Sequence, residues 1–265
     1  MNWAERRRLT YMTIVLAVLG MIGFLLFRQF TNIEPTCFDG RKNGIEIGID
    51  CGGGCALYCA NELPSPKVRW VRSFPVTSTF AQAVAYIEHS NATAASPMLT
   101  YTFKLYDAQN TVIAEKTGTT FLGPLGRTAI ASDTLIPTGS VPVARTTITF
   151  GEPIQWSKIS TNLITTGIKA DRTMIENYSY SPTQNGTRLT AVLDNGSRYN
   201  FSNLDVVAVL YDKDENVITA SKILLPELSA LGSKTVTFTW PFPLTTPVFR
   251  TEIIPRFNPF TAKSL

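Results

Sequence analysis

Between Cys37 and Cys51 the chain reads CFDGRKNGIEIGIDC, which sets Asp39, Asn43, Glu46 and Asp50 among Gly40, Gly44 and Gly48. Carboxylate and amide oxygens on a loop that glycine allows to turn back on itself are what a calcium ion takes as ligands, with backbone carbonyls completing the shell. The same residues also suit a solvated, turn-rich loop whose acids face water, so both readings stand open. All four cysteines, Cys37, Cys51, Cys55 and Cys59, lie in or beside this stretch. In an oxidising compartment they form two disulfides that staple a segment too short for a core of its own, in any of three pairings. Four thiolates around a zinc ion is the alternative.

Elsewhere the chemistry thins out. His89 is the single histidine and sits in a turn-like Glu88-His89-Ser90-Asn91, which excludes a histidine-based zinc protease motif. There is no G-x-S-x-G nucleophile elbow. Gly118 to Gly123 has phosphate-loop spacing, but Pro124 and Leu125 follow where Lys and a hydroxyl are needed. Asp212 to Asn216 imitates the start of a helix-loop-helix calcium loop, yet Val217 replaces the obligatory Gly and Ile223 the bidentate Glu. The N-x-S/T sequons at Asn91, Asn177, Asn185, Asn195 and Asn200 are expected by chance in a Thr-rich chain. A glycosidase-like hydrolase needs only two acids, but no pair stands out, and the expectation is a non-catalytic protein with no cofactor apart from calcium.

The elements that would hold the Cys-rich segment begin with Leu9 to Phe27, LTYMTIVLAVLGMIGFLLF, free of charge and about 28 Å long as a helix. It is apolar all round, and no small-x-small cleavage pattern follows, so an uncleaved transmembrane anchor is favoured over a signal peptide or a core helix. Arg6, Arg7 and Arg8 place the N-terminus in the cytoplasm and everything after Arg28 outside it. With those four arginines and Glu5 set aside, 24 − 4 basic residues face 20 − 1 acidic ones, or 20 against 19. No basic surplus remains for nucleic acid, which is not an expected partner.

Beyond the linker Glu62 to Lys67 the chain is rich in Thr, Val, Ile and aromatics in short alternating runs. Leu99, Tyr101, Phe103 and Leu105 fall on one face of a strand, Thr100, Thr102 and Lys104 on the other, and a polar turn, Asp107 to Thr111, leads to Val112 and Ile113. The arrangement recurs: Leu105 and Leu210, Asp107 and Asp212, Val112 and Val217 each differ by 105. Ala85-Tyr86-Ile87 and Ala191-Val192-Leu193 read as matching strands, and Val68-Arg69-Trp70 and Ile154-Gln155-Trp156 as the start of each copy. A domain-scale repeat of short strands and turns predicts two tandem Greek-key β-sandwiches, with Asp107 and Asp212 as turn formers.

Two resemblances add to this. Cys37 to Cys55 is similar to a motif of bacterial surface proteins, C-x-D-G-x-x-N-G-x-E-x-G-x-D-C-G-G-x-C, which implies an envelope location. Phe103 to Asp107, FKLYD, resembles the signature of the FxLYD domain of bacterial extracytoplasmic proteins, and the second copy reads AVLYD, with Ala208 in place of Phe. That family implies an immunoglobulin-like fold and no catalytic role. The expected organisation is a cytoplasmic N-terminus and transmembrane anchor over 1–30, a Cys-rich segment and linker over 31–64, and immunoglobulin-like sandwiches over 65–153 and 154–265. The expected function is a membrane-anchored envelope protein whose sandwiches bind envelope protein partners through loops or sheet edges. An accessory subunit of a secretion or pilus assembly is the alternative, although Gly20 and Gly23 lack the four-residue spacing of a helix-packing motif.

Overall fold

The computed structural model describes residues 3–31, 36–60, 62–91, 93–124, 126–159, 168–181 and 184–265. Two compact units divide the chain, Met1–Cys55 and Ala56–Leu265.

The first unit opens with helix α1 (Trp3–Thr31). Its interior has no proline and is dominated by Leu, Val, Ile and Met, with the side chains from Leu9 to Phe27 exposed throughout. The stretch Arg6–Arg28 is long and apolar enough to cross a membrane, its 23 residues extending about 34 Å. Two threonine hydroxyls are satisfied within the helix: Thr10 donates to Arg6 O at 2.9 Å and Thr13 to Leu9 O at 3.1 Å. Such back-bonding lowers the cost that a threonine would carry in an apolar medium.

The second unit is all β. Its first half holds β1 (Lys67–Pro75), β2 (Phe80–His89), β3 (Ala94–Tyr106), β4 (Val112–Leu122), β5 (Gly126–Ala131), β6 (Ile136–Pro137), β7 (Arg145–Phe150) and β8 (Ser157–Lys158). The sheet β1-β2-β5, with β6 added to β2, faces the sheet β4-β3-β7, with β8 added to β3. The second half holds β9 (Ile168–Ser181), β10 (Gln184–Asn195), β11 (Tyr199–Tyr211), β12 (Val217–Leu228), β13 (Ser233–Trp240), β14 (Arg250–Arg256) and β15 (Lys263–Ser264). Here β13-β10-β9 faces β12-β11-β14, with β15 added to β11. The two halves are the same immunoglobulin-like sandwich twice, down to the two-residue strand each ends on, which pairs with the start of its third strand.

Each sandwich has its own core. Leu99, Tyr101, Phe103 and Leu105 of β3 are fully buried with Ala83, Ala85 and Ile87 of β2 and Ile130 of β5. In the second, Leu204, Val206, Ala208 and Leu210 of β11 pack with Leu189, Ala191 and Leu193 of β10 and Val236 and Phe238 of β13. Ala208 stands where the first copy has Phe103, and the bulk comes from other strands of that core, Phe238 among them.

The start of the second copy is corrected. Ile154 and Trp156 lie in the first core, Tyr58 N donates to Trp156 O at 3.0 Å, and β8 pairs Ser157 and Lys158 with Ala95 and Ala94. A buried tryptophan and a strand pairing tie this stretch to the first sandwich, and β9, not Ile154-Gln155-Trp156, takes the place that β1 has in the first copy. Tyr58 and Leu63 also pack on the first core, so the chain has joined the sandwich before the proline-containing linker ends.

A third apolar cluster joins the two sandwiches. It holds Phe74, Val84, Tyr86, Ala129 and Ala131 from the first and Val207, Val209, Tyr211, Ala220 and Ile254 from the second. The outer face of β1-β2-β5 thus lies on the outer face of β12-β11-β14. Strands β2 and β11 are buried on both faces, which their near-continuous apolar runs AVAYI and VVAVLY accommodate.

Candidate functional site

In the Cys-rich segment Cys37 and Cys55 are bonded to each other. Cys51 and Cys59 are also disulfide-bonded, and no free cysteine remains. The four-thiolate zinc alternative therefore has no ligands. The four oxygen-bearing residues do come together, but chiefly on the backbone. Asp50 accepts from Asp39 N at 3.0 Å and Gly40 N at 3.0 Å, and Glu46 Oε2 accepts from Asn43 N and Asp50 N, each at 3.3 Å. Asp39 accepts from Arg41 N at 2.9 Å and from Asn43 Nδ2 at 2.6 Å, and the Asn43 bond first of all holds its pKa below the usual value.

Glycine is required at one crossing here. Gly53 has a φ of +56°, and a Cβ on it would stand 1.7 Å from Ile45 O. As a calcium site the loop fits in part. Asn43 Oδ1 is buried without a hydrogen-bond partner among the described residues, which leaves one acceptor oxygen of the loop unengaged by protein. Against this, among the described residues the acidic, Cys or His ligand atoms that converge within 4.8 Å are those of Cys37, Glu46 and Cys55, two of them spent in a disulfide.

A second polar constellation among the described residues, one that motif reading missed, sits where the sandwiches meet. At one end of the interface Glu252 accepts from Tyr86 OH at 2.7 Å and Tyr211 OH at 2.8 Å. Burial, then the Glu252 carboxylate, pushes Tyr211 up to about 12 and Tyr86 well above its ordinary value. Arg250 lies over the Tyr211 ring at 3.7 Å and pairs with Glu215 at 2.6 Å, and this pairing above all raises its pKa. At the other end Arg256, buried to 5 % exposure, reaches Asp205 at 3.1 Å and donates across the interface to Thr120 Oγ1 at 2.9 Å and Phe121 O at 2.7 Å. Lys222 completes the group, 3.6 Å from Asp133 and 3.7 Å from Asp205.

The LYD repeat has a structural cause. Asp107 Oδ1 accepts from Gln109 N at 2.9 Å and Thr111 N at 2.8 Å, and Asp212 Oδ1 from Asp214 N at 2.8 Å and Asn216 N at 2.9 Å. Asn110 and Glu215 both take a left-handed φ, 64° and 59°. Arg145 covers the Tyr106 ring at 3.9 Å and bonds Asn110 at 2.5 Å, as Arg250 does Tyr211 and Glu215. Tyr, turn residue and Arg recur at the constant offset of 105, so extending the offset to Arg145 and Arg250 would have revealed this arrangement in the sequence.

No protein-family model matches the chain. No curated protein matches it either. Among solved structures it is similar to a red sea bream transglutaminase, at 8% identity and a TM-score of 0.25, over 76% of this chain and 30% of that one. A β-glucuronidase from glycoside hydrolase family 2 gives 10% identity and a TM-score of 0.23, over 67% and 24%. The chain thus spans under a third of either enzyme, and likenesses this faint carry no argument about catalysis.

Two glycine- and histidine-centred motifs resolve into packing. A Cβ on Gly118 would meet Tyr101 OH at 2.5 Å and Asp133 Oδ2 at 2.7 Å, so this glycine makes room for a tyrosine and an acid instead of cradling phosphate. His89 is buried, with Nε2 donating to Gly123 O at 2.7 Å and the ring 5.7 Å from that of Trp156. Burial holds its pKa below the ordinary value, which suits a neutral structural imidazole. Several of the strongly shifted groups, Tyr86, Tyr211 and Arg256, lie where one sandwich meets the other, whereas Tyr101 is raised by burial within the first core.

Proposed function

We propose that the protein is a membrane-anchored, non-catalytic envelope component that holds a stiff double sandwich outside the cytoplasm. The observation that carries this reading is the third apolar cluster, which makes one body of two immunoglobulin-like domains. A buried interface flanked at both ends by bonded charges suits a spacer or a binding platform better than a flexible tether. The exposed apolar helix and the four oxidised cysteines support an anchor followed by an extracytoplasmic segment. Protease added to intact cells should remove residues beyond the helix, while the remainder stays with membranes after alkaline extraction. Release of the whole chain by alkali, or protection of the sandwiches until lysis, would overturn the topology.

A second proposal concerns Asp39, Asn43, Glu46 and Asp50 as a calcium site, favoured by the unpartnered Asn43 Oδ1. Calcium titration of the oxidised full chain in detergent, followed by calorimetry, is expected to give one binding event that Asn43→Ala abolishes. Absence of binding would leave the carboxylates as backbone caps only.

A further inference from the structure

The Cys-rich loop is built inside out. Its acids Asp39, Glu46 and Asp50 are half-buried and accept backbone amides, while Phe38, Ile45, Ile47 and Ile49 stand 83%, 77%, 55% and 62% exposed. Four large apolar side chains on one disulfide-held loop ordinarily mark a surface that something covers. Resting on the anchor reading given above, we infer that this loop is a membrane-interface foot, whose apolar side chains enter the headgroup layer of the bilayer that α1 crosses.

Three observations select lipid as the occupant. Arg28 ends the apolar stretch and Cys37 follows nine residues on, so the disulfide begins no more than roughly 32 Å of extended chain from the bilayer surface. That tether converts insertion into an intramolecular step, for which a small apolar surface suffices. The exposed charges within the loop are Arg41 and Lys42, the sign that anionic headgroups attract, whereas the acids are turned toward amides. Those carboxylate caps also satisfy N–H groups that would be costly to bring near hydrocarbon. Non-helical backbone does not enter the hydrocarbon itself, so the side chains reach in from the headgroup level.

The full chain, reconstituted into phosphatidylcholine–phosphatidylglycerol vesicles and washed with alkali, tests this. Phe38→Trp and, separately, Ile49→Trp are compared with Met98→Trp, which places the probe at an exposed site on the first sandwich. The added emission from positions 38 and 49 is expected to be largely quenched by lipids brominated near the headgroup, and that from position 98 to be untouched. Combining Phe38→Trp with Ile45→Ser, Ile47→Ser and Ile49→Ser should restore its emission without releasing the protein from the vesicles. Unquenched probes in vesicles that retain the protein would overturn the foot while leaving the anchor intact. Concentration-dependent cross-linking through the loop without lipid quenching would overturn it in favour of a second copy. Protein that washes off the vesicles would overturn the anchor, and the foot with it.

Discussion

Strands β3 and β11 are the same element in two copies, with opposite surroundings. On the outer face of β3 stand Thr100, Thr102, Lys104 and Tyr106, and at the same offsets β11 carries Asp205, Val207, Val209 and Tyr211. Lys104 pairs with Glu115 at 3.2 Å on an open surface, whereas Val207 and Val209 are fully buried against the other sandwich, with Ala220 where the first copy has Glu115. The sheet built on this strand is thus a free face in the first copy and a glued face in the second, through a handful of outward positions. Core residues hold the sandwich, and outward residues decide what it joins.

Restoring the first copy's residue in the second should therefore do the most damage. Val209→Lys puts an unpaired ammonium into the apolar cluster and is expected to cost about 3 kcal/mol or more. Urea unfolding of the full chain in detergent should lose its shared transition and show the two sandwiches melting apart. The reverse change, Lys104→Val, removes an exposed pair and should move stability by less than about 0.5 kcal/mol. Equal losses from both would mean that the interface does not hold the sandwiches together.

Arg256→Ala comes next. It leaves Thr120 Oγ1, Phe121 O and one side of Asp205 without their donor, but Lys222 still faces Asp205, so a loss of about 2–3 kcal/mol is expected. Pairing it with Asp205→Asn in a double-mutant cycle should recover part of that loss, since the carboxylate is then no longer left charged. Full additivity would show that the two side chains do not act on one another.

The tyrosines of the LYD repeat give a smaller contrast. Tyr211→Phe removes the donor to Glu252 and should cost about 1–2 kcal/mol, whereas Tyr106→Phe, on the free face, should cost less than about 0.5 kcal/mol. The pH dependence follows the same asymmetry. Because the Tyr211 hydroxyl is raised to about 12 in the fold, from an ordinary value of about 10, the neutral phenol is the form that the interface stabilises. Its contribution is complete below about pH 10 and is lost as pH rises from there toward 12. Tyr211→Phe should flatten that part of the alkaline profile.

How much of this was legible follows from what each residue answers to. The alternation of β3, the LYD repeat and the aspartate turns obey local rules, strand period and side-chain capping, and a sequence carries them openly. The interface obeys none of these. Val207 and Val209 read as ordinary strand residues until they are set against Thr102 and Lys104, where the departure of AVLYD from FKLYD becomes the trace of a buried face. Trp156 misled for a related reason: the likeness of Ile154-Gln155-Trp156 to Val68-Arg69-Trp70 fits the end of one copy as well as the start of the next, and only its burial and its backbone partner Tyr58 decide. In the Cys-rich loop the clustering predicted the staples, but it did not say which way Ile45, Ile47 and Ile49 face. A loop of this length has no interior to receive them, and its amides claim the acids instead.

The smallest expected contrast is the most diagnostic of common architecture. Asp107 and Asp212 each accept two amides of the following turn in near-identical geometry, and both turns carry a residue with left-handed φ just before their last residue. The amides of residue 214 and above all residue 216 hold the Asp212 carboxyl below its ordinary pKa, so the cap works ionised. Asp107→Ala and Asp212→Ala should thus lower the melting temperature slightly and by the same amount, despite the different faces beside them. Substitution by Asn, which keeps an acceptor oxygen, should recover most of each loss. A clearly larger effect for Asp212→Ala would mean that its turn is coupled to the interface through Glu215 and Arg250, and that the hairpin tip belongs to the glue as well as to the fold.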